Sequence, residues 1–144
     1  MKFRTRIFAI ALVVFTLLSL AACGGSAPAK LSDIPVYPDA TALKPGENPM
    51  ADTLAKNVQQ AANMGANIDQ KIFALPKEAS WDQVKKFYSD KLTAGSWSAS
   101  NLPIPDNDMF KMSLWTRGSQ SLTVAQITEP ISKDSFLLFS LATQ

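Results

Sequence analysis

Residues 80–95 read SWDQVKKFYSDKLTAG. Ser80 followed three residues later by Gln83 has the spacing of a capping box, in which each side chain satisfies an amide of the other's turn. Trp81, Val84, Phe87, Tyr88 and Leu92 then recur at helical spacing. Asp82 stands in the first turn and Lys91 in the last, matching the helix dipole. Gly95 suits the C′ position. The pattern predicts a helix over about 80–94 with one apolar stripe, and such a stripe needs a partner layer.

The flanking sequence offers that layer as strands. Residues 70–75 (QKIFAL) end at Pro76, and Trp97–Ser100 reads as a short strand. In Met109–Arg117, Phe110, Met112 and Leu114 alternate with Lys111, Ser113, Trp115 and Arg117. Gly118-Ser119 marks a hairpin, with Leu122 and Val124 on the return strand. If Phe110, Met112 and Leu114 face the core, a two-residue loop places Leu122 and Val124 on the wrong face. A three-residue loop or a bulge aligns them with Leu114 and Met112, and is the expectation. Residues 136–141 (FLLFSL) are almost wholly apolar, as in a central strand covered on both faces. The expected architecture is α+β: one antiparallel sheet of four to five strands with the main helix on one face.

Upstream the signals weaken. Leu54, Val58, Ala61 and Ala62 share a thin, alanine-rich face, predicting a weaker helix over about 50–64 that stops at Gly65. Lys44–Pro49 reads as a loop. Pro35 and Pro38 impose extended backbone on 32–41, leaving Ile34, Val36 and Tyr37 to pack as an edge strand or a surface strap. The chain contains no internal repeat.

The first 26 residues are a separate problem. Lys2, Arg4 and Arg6 precede a 16-residue apolar run, Ile7–Ala22, broken only by Thr16 and Ser19. A spanning helix needs about 20 apolar residues, so this run fits a secretory leader better than a membrane span. Leu20-Ala21-Ala22-Cys23 followed by Gly24-Gly25-Ser26 resembles the lipobox of bacterial lipoproteins. That resemblance implies cleavage before Cys23, a diacylglycerol on its thiol and often an acyl chain on its new amine. It implies residues 1–22 as signal peptide and Cys23 as the lipidated residue. Gly24 to about Lys30, flexible through Gly and Ser with Pro28 blocking a helix, reads as a tether, so that 23–31 is lipidated cysteine and flexible tether. The α+β domain then occupies 32–144, on the extracytoplasmic face of the cell membrane or outer membrane. No aspartate follows Cys23, the residue that in some bacteria retains lipoproteins in the inner membrane. Each buried methylene of a lipid contributes about 0.8 kcal/mol, so two or three chains anchor a small domain durably.

A second resemblance spans most of 33–143. Ile34-Pro35-Val36-Tyr37-Pro38-x-Ala40, Phe87-Tyr88-x-x-x-Leu92-x-x-Gly95-x-Trp97 and the later hairpin resemble a group of small bacterial lipoproteins. The group implies a small α+β domain and carries over no activity. This chain departs from it by a longer 43–69 segment.

Composition excludes several functions. Histidine is absent and Cys23 is the only cysteine, which removes His-based triads, imidazole ligands and intramolecular disulfides. The chain carries 14 basic and 12 acidic residues. Three of the cations lie in the leader and no acid precedes Asp33, so the chain beyond residue 22 has a net charge of −1. A near-neutral domain lacks the basic footprint of a nucleic-acid binder. Asp106-Asn107-Asp108 resembles the start of a calcium loop, but Phe110 stands where an oxygen ligand belongs, and a solvated turn is the better reading. No metal or cofactor is expected.

Trp115 is the candidate binding residue. On the polar face of its strand between Lys111 and Arg117, it has the chemistry to stack on a sugar ring or anchor an envelope protein. A second layer, such as the 50–64 helix, would bury it instead. Trp81 and Trp97 read as core. The expected function is therefore a lipid-anchored, non-catalytic binding or envelope-associated module, its partner a protein, a glycan or a small ligand. The alternative is a small-ligand carrier with an apolar pocket between helix and sheet. A carboxylate-based hydrolase ranks third, since the acids are scattered over turns and helix starts.

Overall fold

The computed structural model describes residues 27–62, 67–101 and 107–143. Among the described residues the fold is α+β, with two α-helices and one antiparallel sheet of six strands. Six strands form the sheet: β1 (Thr41–Ala42), β2 (Asn67–Ala74), β3 (Ser98–Ser100), β4 (Phe110–Arg117), β5 (Gln120–Thr128) and β6 (Ser135–Thr143). Their spatial order is β1-β2-β6-β5-β4-β3. The count exceeds the expected four to five because Thr41–Ala42 pairs with Ala74 and Phe73. Two residues carry no readable period.

Helix α1 spans Pro49–Ala62 and α2 spans Trp81–Ala94. Asn48 Oδ1 accepts the Ala51 amide at 2.9 Å, capping α1, and Pro49 takes the first helical position, where its missing donor costs nothing. The expected stop at Gly65 lies outside the described residues. In α2 the capping box forms as read, the Gln83 amide donating to Ser80 Oγ and the Ser80 amide to Gln83 Oε1. The other end corrects the reading. Gly95 has an ordinary φ of −86°, and the left-handed residue is Ser96, at φ 64°. The amides of Ser96 and Trp97 donate to the carbonyls of Thr93 and Leu92, the paired bonds of a Schellman motif. Leu92 and Trp97, which close that motif, are both buried.

The register of the β4–β5 hairpin also corrects the reading. Arg117 pairs with Gln120, leaving a two-residue loop of Gly118 and Ser119. Gly118 has φ 57°, as the first position of a II′ turn requires. Trp115 therefore opposes Leu122, and Ser113 opposes Val124. Leu122 and Val124 belong to the main core with Trp115, while Phe110 and Met112 pack with α1 on the other face. The loop length was regular; the face assigned to the core was inverted.

Each helix thus covers one face. On the α2 face, Val84, Tyr88 and Leu92 pack with Phe73, Trp115, Leu122, Leu137 and Phe139. Edge-to-face rings link this core to the entry segment: Tyr37 to Phe87 at 5.4 Å, Phe87 to Tyr88 at 5.0 Å and Tyr88 to Phe139 at 5.4 Å. Tyr37, Phe87 and Tyr88, with Leu92, Gly95 and Trp97 at the C-terminal end of α2, are among the residues of the second resemblance. On the α1 face, Met50, Leu54 and Val58 rest on Ile72, Ala125, Ile127 and Leu138.

Candidate functional site

Lys111, Trp115 and Arg117 share one face of β4, as the alternation required, but that face lies under α2. Trp115 is 3% exposed. It sits between Ala99 of β3 and Leu122 of β5, and its indole N–H donates to Ser113 Oγ at 3.2 Å. Only a sliver of its surface reaches the groove beside α2, too little for a sugar or partner side chain to stack on the ring. The sequence signal for this was available: with a regular two-residue loop, Leu122 and Val124 must lie beside Trp115. Lys111 is half-buried opposite Gln126. Arg117 turns to the chain itself, its guanidinium 5.8 Å over the Trp97 ring and hydrogen bonded to the Ala27 carbonyl at 2.9 Å.

That last bond belongs to a clamp that sequence reading missed. Gln120 is buried, and its amide side chain pairs with the backbone of Ala29 in both directions. The Ala29 amide donates to Oε1 and Nε2 donates to the Ala29 carbonyl, each at 2.8 Å. Nε2 also reaches Thr143 Oγ1 at 3.3 Å. A primary amide presents the donor and acceptor of a peptide group, so Gln120 holds Ala29 much as a neighbouring strand would. Ala29 and Leu31 are buried in the main core. Residues 27–31 are therefore docked chain, not the flexible tether expected there from the preceding Gly and Ser and from Pro28. Cys23 and its neighbours lie outside the described residues.

Two surface grooves among the described residues are roomy enough to bear on binding. One, of about 590 Å³, runs between α2 and the β3–β4 edge of the sheet. Asp82, Lys85, Lys86 and Asp90 line it with balanced charge, and Lys86 already pairs with Asp90 at 2.8 Å. Such a wall favours neither anions nor cations. The other, of about 480 Å³, lies at the start of α1, lined by Pro49, Met50, Thr53, Leu54, Asn57 and Ile127. Met109 and Ile131 stand at the same end of the sheet, and Ile131 is 91% exposed. Beneath α1 the space against the sheet shrinks to about 10 Å³. This is about one water's worth of room, far below a ligand chamber.

The chemistry of the described residues is quiet. No three His, Cys, Asp or Glu side chains come together among them. The Asn107 side chain accepts the amides of Met109 and Phe110, at 3.0 and 2.8 Å, and so opens β4 as a turn residue. Asp106 lies outside the described residues. Burial pushes the Tyr88 phenol well above its ordinary range. The hydroxyl has no hydrogen-bond partner among the described residues. It is walled in by core rings, where no substrate could meet it. No family model, curated protein or solved structure matches the chain.

Proposed function

We propose that this protein is a lipoprotein held through lipid on Cys23 at the extracytoplasmic face of a cell membrane or outer membrane. There it acts as a non-catalytic binding or envelope-associated module. The observation that carries the reading is Leu20-Ala21-Ala22-Cys23 closing a basic-then-apolar leader. The near-neutral charge of the rest and the absence of histidine support a role without nucleic-acid binding or imidazole chemistry. Trp115 gives this reading no support, being covered. Its support lies at the other end of the sheet, where Ile131, Met109 and the groove beside Met50 and Leu54 offer apolar surface to a protein partner. Anchoring concentrates that surface at the membrane, so even a weak contact with a neighbouring envelope protein is populated.

Cys23→Ala tests the anchor. The expected result is loss of lipid from the protein and accumulation of a precursor that retains residues 1–22, read by intact mass. Cleavage and membrane retention unchanged in that variant overturn the proposal.

A further inference from the structure

We infer that the domain stands on its membrane in one orientation, with the Gly118-Ser119 hairpin against the lipid surface. This rests on the anchor at Cys23 proposed above. Covalent reach sets the orientation. Ala27 is four residues from Cys23, and each residue spans at most about 3.5 Å, so Cys23 lies within about 14 Å of Ala27. Ala27 is not free to carry the domain elsewhere. Its carbonyl is held by Arg117, the next but one residue, Ala29, is held by Gln120, and Leu31 is buried beyond it. Arg117 and Gln120 are the two residues that flank the Gly118-Ser119 loop. The hairpin tip and the point where the chain leaves the domain are therefore the same place.

The tip suits a lipid surface. Gly118 and Ser119 are exposed and small, so the backbone can approach headgroups without displacing a bulky side chain. Arg117 is spent on Ala27 and Trp97, which keeps its side chain pinned and the exit fixed. From this tip β5 runs nine residues to Thr128, a length of about 30 Å at the usual rise. Ile131, in the turn that follows, is thereby held away from the membrane, where a partner can reach it.

The test uses the protein extracted from the membranes in which it matures, reconstituted into vesicles carrying an acceptor dye on their headgroups. A donor is placed at Ser119 or at Ile131, both exposed, through an inserted clickable residue. The expected result is energy transfer from Ser119 roughly twofold or more above that from Ile131, as a strand-length separation requires. Replacing both Arg117 and Gln120 by Ala is expected to bring the two efficiencies together. Equal transfer from the two labels in the unsubstituted protein, or stronger transfer from Ile131, overturns the orientation. Intact mass of the same sample separates the two readings. A membrane-held chain without lipid overturns the anchor, while the labels still report the orientation. Protein that does not float with the vesicles overturns both.

Discussion

The two faces of the sheet are built from the same strands and differ sharply in depth. Among the described residues, sixteen buried side chains form the α2-side cluster, and three form the α1-side cluster. On the α2 side Val84, Tyr88, Leu122 and Leu137 have no exposure at all. On the α1 side Leu54, Val58, Ile72, Phe110 and Met112 remain half-exposed. The cause is coverage. α1 presents a short apolar stripe and rests over one end of the sheet. The other end of that face carries Thr116, Ser121 and Thr123, which need no lid. Alternation along a strand reports the chemistry of a face and not how deeply it is buried.

The largest expected effect probes that depth directly. Leu137→Ala opens a cavity in the α2-side core and is expected to cost about 3 kcal/mol or more. Leu54→Ala, on the shallow side, is expected to cost about 1 kcal/mol, because its side chain is already partly in water. Denaturant midpoints measure both, and equal losses would break the distinction between the faces.

An intermediate effect follows from Tyr88. Its raised folded-state pKa means that above about pH 10 the unfolded chain ionises this phenol while the folded chain keeps it neutral. Its contribution to stability is thus level below that pH and lost above it, at up to about 1.4 kcal/mol per pH unit. Tyr88→Phe removes a hydroxyl without a partner, so stability at neutral pH is expected to hold within about 1 kcal/mol. The alkaline fall should become shallower. An unchanged alkaline limb in that variant would show that the core on this side opens to water before the phenol titrates.

The smallest effect concerns the end of α2. Ser96 holds a left-handed conformation that glycine adopts without a Cβ penalty. Ser96→Gly is expected to stabilise the protein by about 0.5 kcal/mol, with thermal unfolding as the readout. A loss of stability would mean that the Ser96 side chain contributes more than its backbone costs.

What the sequence disclosed follows how local each signal is. α2 was legible because its cap, stripe and dipole charges lie within sixteen residues. The central place of β6 was legible because both of its faces are apolar. β1 was not, since two residues have no period. The face of β4 was misread because Phe110, Met112 and Leu114 outnumber Trp115, although the hairpin spacing already argued the other way. For the site, the common face of Lys111, Trp115 and Arg117 was legible, and its cover by α2 was not. The Gln120 clamp was beyond reach, since its two partners lie 91 residues apart and neither has a distinctive pattern.

The place of β6 has a temporal consequence. It is the last of the six strands in chain order and the third in space, bonded to β2 on one side and β5 on the other. A chain emerging from its N-terminal end can form the β3–β4–β5 meander and α2 early, but β2 has no route to that meander until residues 135–143 appear. Sheet closure therefore waits for the last strand, and such late, long-range pairing is slow.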